Sequence, residues 1–324
     1  PENSSIDSVL YSVVNQLVIV KDVEGNVYLP DYLFNGIGLM EIGQGFKAKS
    51  TELVSFEVCG ERLNPEEQPI NLIEGWNIVG YLRDEPANTA SVFSEINESG
   101  NLVIVKDYIG NAYLPDWNFN GIGNMVSGRG YQLKMFNNDV LNYLPNDQSY
   151  RFGSVGVTQK NLNHFIEKTP TDNNMTIVIE ETAWDKAPEN GSEIAAYDSK
   201  GKMVGSGVYT KPVTVLSVWG DDELTSGKDG LSVTEEVIFK LWNTNTIHSF
   251  SIDKWTKGSS FYQVNAINIA SSILTNSIPE NTANRTLVRI VNLLGQEISL
   301  GEDRFEGGVL FEIYNDGTVE KIVK

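Results

Sequence analysis

The side chains usually recruited for acid–base, nucleophilic or metal chemistry are sparse in this sequence. There are two histidines, His164 and His248, and one cysteine, Cys59. The histidines stand far apart, and neither has a second metal ligand at short spacing. They read as a loop histidine and a strand histidine. No Gly-x-Ser-x-Gly elbow, His-Glu-x-x-His run or Cys–His pairing occurs, so no nucleophile–base set can be named. The densest carboxylate group is Asp221-Asp222-Glu223 with Asp229 downstream. Oxygen ligands gathered on a loop can hold Ca2+. These four are therefore the calcium candidates, set against the plainer reading of a solvated loop; no other cofactor is expected. The runs Gly36-Ile37-Gly38 and Gly121-Ile122-Gly123 lack a following lysine or helix and do not read as phosphate cradles. Aromatic residues can build a sugar platform when they are exposed beside polar donors. Tyr32 and Trp117 are the binding candidates, because each follows a Pro-Asp turn outside the regular strands. The remaining aromatics read as core. Cys59 reads as a small buried residue in a strand.

The elements that position these residues are dominated by a duplication. Leu17–Lys49 recurs without a gap as Leu102–Lys134, an offset of 85 positions. One supersecondary unit is built twice, and such repeats take precedence in any fold assignment. Asp22 and Asp107 recur, as do Asp31 and Asp116; at turns, such residues brace the backbone through Asx bonds. Within each copy Leu-Val-Ile-Val reads as a buried strand. Glu24-Gly25-Asn26 or Ile109-Gly110-Asn111 makes the turn, and Pro30 or Pro115 ends the return strand. Ser8–Val14 and Ala90–Ile96 have the apolar spacing of short helices. Leu53–Val58 reads as a further strand of the first copy.

The second copy opens with Gly75-Trp76-Asn77-Ile78-Val79-Gly80-Tyr81-Leu82, an alternating strand with no counterpart in the first copy. Three explanations stand side by side. Either the chain is trimmed from a longer polypeptide, or the first copy is a degenerate half-module, or a neighbouring chain donates the strand.

Four segments follow: residues 1–62 and 70–147 for the two small α+β modules, 150–274 for a β-sandwich, and 285–324 for a small C-terminal β domain. Residues 64–69 and 275–284 read as linkers. The sandwich expectation rests on seven short strands with turns between them: Met175–Ile179, Glu193–Tyr197, Val204–Tyr209, Val213–Trp219, Val237–Trp242, Ser249–Lys254 and Gln263–Ile269. The fold class expected is mainly β and multidomain. Formal net charge is −19, which opposes nucleic acid and anionic lipid as partners. No apolar run approaches the ~20 residues of a membrane-spanning helix. No basic-then-apolar signal stands at the N-terminus, so a signal peptide is absent or already removed.

The tail carries Val291-Asn292-Leu293-Leu294-Gly295-Gln296-Glu297, then Gly307-Gly308-Val309-Leu310-Phe311, Asp316-Gly317-Thr318 and Lys321-Ile322-Val323-Lys324. Together these resemble the type A C-terminal sorting domain of the type IX (Por) secretion system. The family often has Tyr-Asp before the Leu-Leu-Gly turn, where this chain has Val291-Asn292. The resemblance implies export across the outer membrane by the secretion machinery, acting on residues 285–324, and surface anchoring or release. The duplicated unit, and the region from Ala183-Trp184 to Asp221-Asp222-Glu223, also resemble repeated parts of large secreted surface proteins. That second likeness implies neither an activity nor a ligand.

The expectation is therefore a non-enzymatic extracellular structural or adhesive protein that self-associates, with fibre formation by strand donation as its boldest form. The alternative is a carbohydrate-binding accessory region of a larger secreted enzyme, with a glycan as partner.

Overall fold

In the computed structural model the described residues are 1, 3–150, 156, 158, 161–166, 168–243, 245–275, 287–292, 297–298, 309–314 and 319–323. The chain divides into two compact units. One holds residues 1–161 and 169–174; the other holds 162–168 and 175–324. The architecture is mainly β with several separate sheets, as expected. Among the described residues no helix is long and apolar enough to cross a membrane.

The first copy begins with α1 (Ile6–Val9), which tightens into a 3-10 turn over Tyr11–Gln16. The single helix expected over Ser8–Val14 is thus split. Val13-Val14 and Asn15 are weak helix formers, and a segment this short has little cooperativity to offset them. Four strands follow: β1 (Leu17–Lys21), β2 (Val27–Leu29), β3 (Phe34–Asn35) and β4 (Lys47–Ser50), in the antiparallel order β3-β2-β1-β4. Asp22 braces the β1–β2 turn: its two carboxylate oxygens accept from Asn26 N and Asn26 Nδ2, both at 2.8 Å. Gly25 sits at φ 91° in that turn, where a side chain would be strained.

The second copy runs β5 (Ile70–Leu72), β6 (Gly75–Gly80), β7 (Ala87–Asn88), α2 (Thr89–Val92), α3 (Ser94–Glu98), β8 (Leu102–Lys106), β9 (Ala112–Leu114), β10 (Phe119–Asn120), β11 (Asn124–Met125), β12 (Gly130–Met135) and β13 (Asp139–Leu141). Asp107 repeats the brace on Asn111 with the same two distances. The main sheet is β10-β9-β8-β12-β6. It is the sheet of the first copy with one strand added at the edge, the strand the first copy lacks.

Strand β6 is shared. One edge pairs with β12 from Gly130↔Gly80 to Met135↔Gly75. The other edge meets residues 43–45 of the first copy: Gly45 N donates to Ile78 O at 3.0 Å, and Gly80 N to Gly43 O at 2.9 Å. A Cβ on Gly45 would lie 2.6 Å from Ile78 Cγ2, so glycine is what admits this approach. Residues 43–45 of the first copy thus lie against β6 of the second. The matching strands of the two copies differ in burial. Leu133 and Met135 of β12 are buried, whereas the matching residues of β4 are Ala48 and Ser50, one exposed and one half-buried.

Two expectations fail in the stretch that follows. Leu53–Val58 forms no strand, and Cys59 is exposed instead of buried. The apolar residues there have no neighbouring strand to pair with, and Leu53 and Phe56 face solvent.

The second unit carries β14 (Asn174–Glu180), whose first residue belongs to the other unit, then β15 (Glu193–Tyr197), β16 (Met203–Val208), β17 (Val213–Trp219), β18 (Ile238–Asn243), β19 (Thr246–Lys257) and β20 (Ile267–Thr275). The order is β16-β15-β18-β19-β20-β14-β17. Glu193–Tyr197 and Val213–Trp219 form as expected, four other strands have shifted ends, and of the expected Gln263–Ile269 only Ile267–Ile269 is strand, within β20. Strand β19 turns the corner of the sandwich: Thr246–Phe250 pairs with β18, and Phe250–Lys257 pairs with β20 across register shifts. Trp184, Tyr209, Phe239 and Phe250 fill the interior. The last sheet joins β21 (Leu287–Asn292), β22 (Glu297–Ile298), β23 (Val309–Tyr314) and β24 (Val319–Val323) in the order β22-β21-β23-β24. Of the tail motifs, residues 293–296, 307–308, 315–318 and 324 lie outside the described residues, as do residues 276–284 of the expected linker, while Glu297, expected in the Leu294–Glu297 turn, begins β22.

A buried carboxylate ties residues 162–168 to this unit. Glu193 is fully buried. It accepts from Asn163 N at 2.5 Å, His164 N at 3.1 Å and Phe165 N at 2.8 Å. Glu193→Ala should orphan three amides and lower the stability of this unit by about 2–4 kcal/mol in chemical denaturation. Loss of hydrogen-exchange protection at 163–165 would be the local readout.

Candidate functional site: an exposed edge and a row of lysines

The calcium candidates lie on the loop after β17, and their oxygens serve that loop. Asp221 Oδ1 accepts from Asp229 N at 2.6 Å, Asp229 Oδ1 from Asp222 N at 3.0 Å, and Asp222 Oδ1 from Leu224 N at 2.9 Å. These bonds are those of a self-braced turn. Among the described residues no group of three or more His, Cys, Asp or Glu side chains converges as a metal site. His164 is exposed on a loop and stacks on Trp242, with ring centroids 4.8 Å apart. His248 lies on β19, with Nε2 2.7 Å from Thr246 Oγ1. Asp31 and Asp116 stand exposed on matching 3-10 turns, and the bracing role falls to Asp22 and Asp107.

The aromatic candidates part company. Tyr32 is 80% exposed, while Trp117 is half-buried. The divergence continues through β3 and β10 and the loops that follow them. Phe34 on β3 is 51% exposed, yet Phe119 on β10 is 9% exposed. Asn120 is buried and its backbone oxygen accepts from Thr158 N at 2.9 Å. Among the described residues nothing does the same for Asn35, which is exposed. Side-chain types follow suit. Asn118, Asn124 and Ser127 in the second copy correspond to Leu33, Leu39 and Ile42 in the first, and all three apolar residues are exposed. Leu33 is 95% exposed and sits at φ 51°, the left-handed conformation that Asn118 adopts at φ 50°. Asparagine tolerates that region; leucine does so at a cost.

A second constellation was invisible in the sequence. Lys106, at the end of β8, is 1% exposed. Its Nζ donates to Asn174 Oδ1 at 2.9 Å and lies 4.8 Å from the Trp76 ring centroid. Lys134 approaches the same ring at 5.6 Å. Burial, then the charges of Lys47 and Lys134, push the Lys106 ammonium down to about 7. Lys21, its counterpart in the first copy, pairs with Asp172 Oδ2 at 2.7 Å, and Lys47 donates to Asn173 Oδ1 at 3.0 Å. Three lysines from two repeats thus meet three consecutive residues, Asp172-Asn173-Asn174. The contacts span long sequence separations, and no local motif announces them.

No family model, curated protein or solved structure matches this chain.

Lys106 makes a pH prediction. The unfolded chain binds this proton with an ordinary lysine's affinity, whereas the folded chain holds it only below about pH 7. Stability therefore rises as pH climbs from 7 toward the ordinary lysine value. The full cost of a buried charge is present below 7. Lys106→Met should stabilise the protein at pH 6 by about 2–4 kcal/mol, the Trp76 ring offsetting part of the desolvation. It should also flatten the rise between pH 7 and 10, as read by urea denaturation across pH.

Proposed function

We propose that this chain is a non-catalytic structural or adhesive protein of the outer cell surface, and that it pairs with a second copy of itself through the β3 edge. The observation that carries this reading is the exchange of Asn118 for exposed Leu33 beside β3, with Phe34 exposed on the strand itself. A left-handed leucine costs about 1 kcal/mol or more, and Leu33 recovers none of it through burial. Backbone strain without internal return points to a contact made outside the chain.

The proposed occupant is a second copy because of what happens at the other repeat. There the matching edge is met by the backbone of this same chain, at Thr158 N. Two β3 edges from two molecules can meet in the same way, antiparallel and two-fold, with the leucines facing one another. Export by the type IX machinery through residues 285–324 rests on the motif resemblance of the tail. A glycan platform at Tyr32 is the competing reading, but Leu33, Leu39 and Ile42 bring no polar donors to it.

Sedimentation of the full chain up to about 100 µM should show a monomer–dimer equilibrium. The triple variant Leu33→Asn/Leu39→Asn/Ile42→Ser should stay monomeric and melt no lower than the parent. A parent that remains monomeric throughout would sink the proposal. Retention on immobilised glycans that Tyr32→Ala abolishes would move the conclusion to carbohydrate recognition.

A further inference from the structure

Of the three lysine contacts on residues 172–174, the middle one is chemically distinct. Lys47 Nζ lies 3.0 Å from Asn173 Oδ1, and the amide of the same side chain donates from Nδ2 to Asp172 Oδ2 at 2.9 Å. An amine, a carboxamide and a carboxylate therefore meet in sequence. The amine is at the carbonyl end of the amide and the carboxylate at its nitrogen end. With a C=O bond of about 1.2 Å, this contact sets Nζ roughly 3–4 Å from Cγ, close to attack distance. Asp172 is itself held in place by Lys21.

We propose that Lys47 and Asn173 join in an intramolecular isopeptide bond, with Asp172 carrying the proton. Lys47 Nζ attacks Cγ of Asn173, forming the Nζ–Cγ bond as the Cγ–Nδ2 bond breaks. Asp172 takes the proton released by Nζ and delivers it to Nδ2, which departs as ammonia. The exchange is redox-neutral and needs no further reactant. The nucleophile is the neutral amine. Burial holds Lys47 below the ordinary lysine value, with the Asp172 charge acting against that shift and the Lys21 charge with it. The neighbouring Lys106–Asn174 contact supplies an internal control. It has the same amine-to-carbonyl approach, but among the described residues no carboxylate holds the Asn174 amide. It is expected to remain a hydrogen bond.

Intact mass spectrometry of the full chain is the test. The expected mass is about 17 Da below that of the sequence, one ammonia lost, and digestion should yield one branched peptide joining Lys47 to Asn173. Lys47→Arg and Asp172→Ala should restore the sequence mass, whereas Lys106→Met should keep the deficit. Circular dichroism on each variant separates a lost reaction from a lost fold. A native chain that retains its full mass after long incubation at mildly alkaline pH overturns the proposal. So does a deficit that survives Lys47→Arg, or a folded Asp172→Ala chain that still cross-links.

Discussion

Backbone groups at the edge of a sheet must find partners in protein or water, and in the first unit this demand meets a shortage of strands. Both copies make backbone contacts to one strand, β6. It gives a full ladder to β12 and a short contact to residues 43–45. Much else follows from that allocation. Gly45 is required where the backbones approach. Ala48 and Ser50 replace the large residues that a complete sheet would bury.

The parts of this architecture governed by local rules were legible in the sequence. Asp22 and Asp107 brace their turns as Asx residues do, because the bond closes within five residues. The strands of the sandwich showed in their alternation and turn residues. Leu53–Val58 misled because alternation reports what a strand would bury, not whether a neighbour exists to bury it. Cys59 misled for the same reason. The lysine row was hidden by distance: Lys21 finds Asp172, and Lys106 finds Asn174, far along the chain. A lysine is ordinarily assigned to the surface on type alone. The exchange of Leu33 for Asn118 was readable by setting the copies side by side, but only the structure supplies the exposure and the backbone angle that give it meaning.

The two units handle buried charge differently. Glu193 is surrounded by three backbone amides, so its desolvation is met by directed donors. Lys106 has one amide oxygen and the face of Trp76, with Lys47 and Lys134 close enough to oppose its charge. The first arrangement anchors residues 163–165 to the sheet. The second favours surrender of a proton, and it places amines of reduced basicity next to carboxamides. That setting is the physical ground for expecting covalent chemistry in a chain otherwise poor in reactive groups.

A shared strand also ties the fates of the repeats together. A cut in the polar stretch around Pro65 would not release two self-sufficient halves. The N-terminal piece would forfeit the neighbour it borrows, and the C-terminal piece would bare a flank it normally keeps covered. Shuffling such a repeat between genes would succeed only for the pair, which makes the duplicated whole, not the single motif, the smallest unit that can be inherited.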